Sequence, residues 1–135
     1  MDIPSKDDQS YFTGNKFVTE LSSKDFDEKE PWKLKSGKCT AILFYAPWCP
    51  HCKNVKDTWI ELGKIATFFD ICAFNCVSNV EHYEKMKEDL PDLRNGFPTM
   101  IVYKKGEPSE MIGETSEDRK LNNFLKSCMR ICESS

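Results

Sequence analysis

No segment of this 135-residue chain is apolar for long enough to cross a membrane, and neither sign of charge dominates any part of it. The 19 basic and 22 acidic residues are interspersed and leave a net charge of −3 with the two histidines counted neutral. That balance lacks the basic footprint of a nucleic-acid binder. There is no internal repeat and no low-complexity tract, which sets solenoids aside. The start, Met1-Asp2-Ile3-Pro4-Ser5-Lys6-Asp7-Asp8, has no basic region followed by an apolar one, so no secretory signal is expected. The end, Cys132-Glu133-Ser134-Ser135, is not an endoplasmic-reticulum retrieval signal. The expectation is a cytoplasmic protein, with an oxidising lumen or an assembled particle such as a virion as the alternative.

What the chain has in quantity is cysteine, seven in all: Cys39, Cys49, Cys52, Cys72, Cys76, Cys128 and Cys132. An odd count leaves at least one thiol free or paired between molecules. Without a signal segment the reading is a reducing compartment and mostly free thiols. The length suits one domain with a core. A polar arm over residues 1–15, in which Thr13-Gly14-Asn15 looks like a turn, is read as loose, with ordering against the body as the alternative, and precedes that domain over 16–135.

The chain is organised around Trp48-Cys49-Pro50-His51-Cys52. Two cysteines with two residues between them, after an apolar run and at the start of a helical pattern, describe a redox dithiol. The same spacing also forms half of a zinc site, but the flanks read strand and then helix and favour the dithiol. The unpaired N–H groups and dipole at a helix N-terminus stabilise negative charge. Such settings bring a thiol from about 8.5 to roughly 3.5–7.5, so Cys49 is expected to be largely thiolate and to act as the nucleophile. Pro50 fits the first helical turn, and protonated His51 adds positive charge nearby. Cys52, one turn inside, would be shielded, keep a higher pKa and resolve mixed disulfides.

Around this centre, Phe17–Leu21 reads as a strand, and Ser22 or Ser23 starts a helical segment. Pro31 can open a turn carrying Trp32, and Gly37 can end it. Residues 39–46 form an apolar run without alternation, which fits a strand covered on both faces. From Pro50 to about Phe68 the pattern is helical, with Val55, Trp59, Leu62 and Ala66 on one face. Another strand lies within 68–76. A helix follows from Glu81 to Leu90, with Tyr83, Met86 and Leu90 inward and His82 solvated. Met100–Tyr103 is a strand that returns over Ser109–Gly113. Thr115 or Ser116 can cap a last helix with the stripe Leu121, Phe124, Leu125 and Cys128. This order predicts an α/β protein with a mixed sheet covered by helices on both faces.

With these residues in place, the chain resembles the thioredoxin superfamily, most closely the catalytic domain of protein disulfide isomerases. The resemblance covers about Phe17 to Met129. It rests on Phe44-Tyr45-Ala46-Pro47-Trp48-Cys49, on Pro50-His51-Cys52-Lys53 and on Gly96-Phe97-Pro98-Thr99. It implies a thioredoxin fold, a cis peptide bond before Pro98 packed beside the cysteines, and a backbone near Phe97 that pairs with an extended substrate segment. Trp48, Phe97 and Pro98 then shape the docking surface.

The implied activity is protein thiol-disulfide exchange as an oxidase or isomerase. No organic cofactor is required, since the Cys49/Cys52 pair carries both electrons, and the partners are protein thiols and a redox protein. Reductase and non-catalytic binding or structural roles are the alternatives. The Pro-His dipeptide resembles that of periplasmic disulfide oxidases, which implies an oxidising-to-intermediate potential within a family range of about −270 to −120 mV.

Three departures from the family stand out. Leu43 occupies the place of a buried acid, and Phe74 is read as replacing the lysine that pairs with it. Asp57 stands where a helix-kinking proline is frequent. Gly113-Glu114 lacks the arginine that isomerases use at the resolving cysteine. Among the spare cysteines, Cys39, Cys72 and Cys128 read as small buried residues. Cys72 and Cys76 share a strand face but lie too far apart to bridge, and Cys132 is the candidate for an intermolecular thiol and a linked dimer. A metal site from the spare cysteines is not expected.

Overall fold

The structure is a computed structural model and describes residues 9–134. At its centre is strand β2 (Thr40–Tyr45), all six residues of which are buried. Its Ile42, Phe44 and Tyr45 suit a pleated strand, and a strand covered on both faces needs no alternation. On one side β2 pairs in parallel with β3 (Asp70–Asn75), which pairs in parallel with β1 (Thr19–Leu21). On the other it pairs antiparallel with β4 (Thr99–Lys104), which returns as β5 (Glu107–Ile112). Among the described residues these strands form one mixed sheet in the order β1-β3-β2-β4-β5. The expected α/β fold is the one observed.

Helices α1 (Pro50–Ile65) and α3 (Leu121–Glu133) cover one face, and α2 (Val80–Asp89) covers the other. The period of two along β2 divides the core between them. Ala41, Leu43 and Tyr45 pack with Val55, Trp59, Leu62, Phe124, Cys128 and Ile131. Ile42 and Phe44 pack with Phe26, Leu34, Phe74, Tyr83 and Met86. Trp59 lies in the core as expected, its indole N–H donating to the Cys72 carbonyl at 2.9 Å. A Cβ at Gly63 would lie 2.3 Å from the Phe17 carbonyl oxygen. Only glycine lets α1 lie this close to the chain entering β1. The helix runs unbroken through Asp57.

Several expectations need correction. After β1 the helical segment shrinks to one 3-10 turn, Ser23–Asp25, closed by a capping box between Ser22 and Asp25. Pro31 and Trp32 do form the expected turn, closed by Lys33 N–H donating to Glu30, but no helix continues from it, and Phe26 bridges Leu34. The reason is that Asp27-Glu28-Lys29-Glu30 offers no apolar stripe to hold a helix on the sheet. His82 is not simply solvated. Its Nε2 lies 2.8 Å from the Pro31 carbonyl and its ring 5.2 Å from that of Phe26, so it ties α2 to this segment. The last helix is capped at Lys120, while Thr115 accepts from Asp118 N–H in a separate turn. Its apolar stripe begins only at Leu121.

Residues 9–15 order against the body, the alternative to a loose arm: Phe12 is buried at 1% exposure and Tyr11 packs beside Tyr45. The remainder of the expected arm, residues 1–8, lies outside the described residues.

The cysteines also depart from expectation. Cys39 and Cys132 form a disulfide with Cα atoms 5.8 Å apart, so Cys39 is not a buried thiol and Cys132 is not free for an intermolecular bond. The start of β2 and the end of α3 meet at one pole of the sheet, which linear spacing does not reveal. Cys72, Cys76 and Cys128 are free and buried. Cys72 and Cys76 share the α2 face, as their parity implies.

Candidate active site

β2 ends at Tyr45, and Ala46-Pro47-Trp48 turns the chain into α1, with Cys49 N–H donating to the Ala46 carbonyl at 3.0 Å. Cys49 is the N-cap of α1 and Pro50 its first residue, where a missing N–H costs nothing. No side chain makes a cap hydrogen bond at this end. The orphan N–H groups of the first turn, with their positive dipole end, are therefore left facing the Cys49 position. His51 is exposed on that turn.

The two thiols differ in setting. Cys49 is 6% exposed and its Sγ lies 3.7 Å from the carbonyl oxygen of Phe97, while Cys52 is fully buried. Burial pushes the Cys52 thiol up to about 12. The hydrogen bond and charge of Cys49 act in the same direction, and the Ala46 backbone and the Arg119 charge oppose them. Cys52 accordingly keeps its proton at neutral pH.

Phe97 and Pro98 arrive from the start of β4, and the peptide bond between them is cis. Trp48, 51% exposed, meets the Phe97 ring edge-to-face with centroids 6.1 Å apart, and Tyr83 lies 5.5 Å beyond. A cleft of about 270 Å³ continues past Pro98, lined among others by Met111, Glu114 and Arg119. The residues expected to form the site, Trp48, Cys49, Pro50, His51, Cys52, Phe97 and Pro98, thus gather at the C-terminal end of β2. Two larger clefts, of about 370 and 400 Å³, lie around His82 and Lys85 and are not lined by either site cysteine.

A sequence model of thioredoxin matches residues 17–127. The chain belongs to the thioredoxin family. This thioredoxin domain is 31% identical over 98 residues to protein disulfide-isomerase MPD1 of Saccharomyces cerevisiae, covering 71% of this chain and 28% of the relative. It is 29% identical over 133 residues to protein disulfide-isomerase 5-2 of Arabidopsis thaliana, covering 96% of this chain and 28% of the relative. The chain therefore spans little more than a quarter of these relatives. Among solved structures, the J-Trx1 fragment of ERdj5 superposes with a TM-score of 0.70 at 22% identity, over 92% of this chain and 56% of that one. The Trx4 domain of ERdj5 gives 0.65 at 20% identity, over 87% and 96%. These two likenesses concern the fold.

Within this thioredoxin domain the place of the acid is apolar, but its partner is not Phe74. Phe74 points to the α2 face, whereas Leu43 lies on the α1 face. The residue in register with Leu43 on β3 is Ala73, and Glu20 of β1 follows in the same row. A one-residue shift along a strand changes the face, and the register sets Ala73, not Phe74, opposite Leu43.

Two neighbours of the site went unseen in the sequence. Arg119 sits in the turn before α3, its Nε donating to the Gly113 carbonyl at 2.8 Å, and its charge acts on Cys52. An arginine thus stands close to this site, at a position that no local motif marks. Tyr11 donates its hydroxyl to the Pro47 carbonyl at 2.8 Å. The signal for it was the aromatic pair Tyr11-Phe12 inside an otherwise polar stretch.

Proposed function

We propose that this thioredoxin domain is a protein thiol-disulfide oxidoreductase working as an oxidase or isomerase, with Cys49 as the exchanging sulfur and Cys52 as its resolving partner. The observation that carries the reading is the asymmetry of the pair. Cys49 caps a helix beside the Phe97 carbonyl, while Cys52 is buried one turn inside with its thiol pushed up.

In the oxidising direction a substrate thiolate attacks Cys49 Sγ of the Cys49–Cys52 disulfide, and Cys52 leaves as a thiolate that takes up a proton. A second substrate thiolate then attacks the substrate sulfur of the mixed disulfide. The substrate disulfide forms and Cys49 leaves as a thiolate, with two electrons now on the dithiol. A redox partner removes them, so no organic cofactor is needed. Isomerisation begins from the reduced pair, with Cys49 attacking a substrate disulfide and Cys52 or a substrate thiol releasing it. Pro50 and His51 favour the Cys49 thiolate. Trp48, Phe97 and Pro98 receive the extended substrate segment by backbone pairing. Neither nucleic acid nor a membrane enters this reading. The Cys39–Cys132 disulfide favours an oxidising compartment over the cytoplasm.

The test is equilibration with glutathione of a protein in which Cys72, Cys76 and Cys128 are alanine. The expected result is a Cys49–Cys52 disulfide with a potential above about −270 mV, the thioredoxin value. A value at or below it points to a reductase, and failure to form the disulfide overturns the enzymatic reading.

A further inference from the structure

The turn that carries Cys49 is held from outside by a segment almost forty residues earlier in the chain. Tyr11 donates its hydroxyl to the Pro47 carbonyl at 2.8 Å and its N–H to the Tyr45 hydroxyl at 2.9 Å. Tyr45 in turn donates to Glu20 Oε1, which also accepts from Phe12 N–H at 3.1 Å. The rings of Tyr11 and Tyr45 stack with centroids 4.5 Å apart, and the Lys56 ammonium of α1 lies 5.3 Å from the Tyr11 ring centre. Ser10 accepts from Asn75 at the end of β3, at 3.1 Å, and Phe12 is buried against Tyr45. Three consecutive residues thus bind the ends of β2 and β3 and the site turn together.

We infer that Ser10–Phe12 is a strap that tunes the dithiol, with Tyr11 a positioning residue acting on Cys49 through the Pro47 carbonyl. This rests on the reading of Cys49 and Cys52 as a redox pair. Pro47 is buried and has no N–H, so its carbonyl is its one backbone hydrogen-bonding group. Cys49 has no side-chain cap, and its N–H bond to Ala46 closes the turn. What fixes Pro47 therefore fixes the aim of Cys49 at the first-turn N–H groups. Burial raises the Tyr11 pKa, which keeps Tyr11 a donor. A held turn stabilises the reduced pair more than the disulfide.

The experiment is Tyr11→Phe, which removes the hydroxyl and keeps the ring and the N–H. Its control is Tyr103→Phe, which removes an equivalent bond to the Trp32 carbonyl (2.8 Å) outside the site. In a glutathione buffer, Tyr11→Phe is expected to shift the equilibrium toward the disulfide by about threefold to tenfold, the worth of one hydrogen bond made in a single redox state. Alkylation of Cys49 at fixed pH slows in parallel, and Tyr103→Phe moves neither readout.

A shift no larger than that of Tyr103→Phe overturns the inference. If Tyr11→Phe does not fold, Glu20→Ala takes its place: it should shift the equilibrium the same way, with Glu20→Gln, which keeps the acceptor, restoring the wild-type value. Wild-type behaviour from Glu20→Ala also overturns it. A wild-type protein that forms no Cys49–Cys52 disulfide overturns the redox reading itself, and the strap with it.

Discussion

Cys39 precedes β2 and is bonded to Cys132 at the end of α3, 93 residues away, whereas Cys49 and Cys52 follow β2 and face each other as free thiols across one helical turn. The distant pair, 93 residues apart, closes a loop that takes in β2 to α3, so its bond constrains the unfolded chain strongly. The near pair closes a ring of four residues and gains little from chain entropy. Its bond is governed by what surrounds the sulfurs: helix N–H groups, the Phe97 carbonyl, and the burial that keeps Cys52 protonated. Under the proposed function, the same covalent chemistry serves as a tether at one end of a strand and as an electron carrier at the other.

Removing Cys49 from the near pair, and separately both members of the tether, is the sharpest way to break this contrast. Cys49→Ser should lower disulfide exchange by about a thousandfold or more, the usual result of losing an attacking nucleophile, with little change in the urea midpoint. The double change Cys39→Ala and Cys132→Ala should do the opposite. A loop of this length is worth about 4–5 kcal/mol in the chain-entropy account, so urea unfolding should move by several kcal/mol while exchange by the folded protein persists. If the tether variant folds but cannot exchange, the division between the two ends of β2 is wrong.

The next contrast lies inside the active end, where the row Glu20, Ala73, Leu43 places apolar residues beneath Cys52 and a carboxyl only at the edge strand. Leu43→Glu alone should cost about 3–5 kcal/mol, because it leaves a buried charge without a partner. Adding Ala73→Lys should recover part of that loss and shorten the lifetime of the mixed disulfide, measured by quenching single turnovers. Recovery of stability with an unchanged lifetime would mean that Cys52 does not want for a base.

Those two substitutions also show where the sequence was legible. The dithiol and its place after a buried strand were readable because each is a local pattern with its own chemistry, whereas the facing Phe97-Pro98 came only from the resemblance. The pairing of Leu43 was not, since a register is a property of two strands and an error of one residue exchanges Ala73 for Phe74. The helices α1, α2 and α3 followed from their apolar spacing, whereas the segment after Ser22 lacks a stripe and took its shape from Phe26, Leu34 and His82. Cys39 and Cys132 meet through the packing of α3 on the sheet, as does Arg119 with Cys52. No spacing rule reaches that far.

The smallest effect separates the thiols that titrate from those that do not. Burial pushes Cys52, Cys72 and Cys128 up to about 12 and raises Cys76 well above its ordinary value, while the tethered Cys39 and Cys132 carry no proton to lose. In the unfolded chain these thiols ionise near about 8.5. Between that pH and about 12 the native state holds more protons than the unfolded state, so stability is fully present below pH 8.5 and declines as pH rises. The decline approaches roughly 1.4 kcal/mol per pH unit for each such thiol once the unfolded form is ionised. For the reduced dithiol with the tether intact, urea unfolding at pH 8 and pH 10 should therefore show a lower midpoint at the higher pH. Cys128→Ala, which leaves the active end untouched, should lessen the slope by one thiol's share. An unchanged slope would mean that the solvent already reaches Cys128, contrary to its place in the core beside the tether.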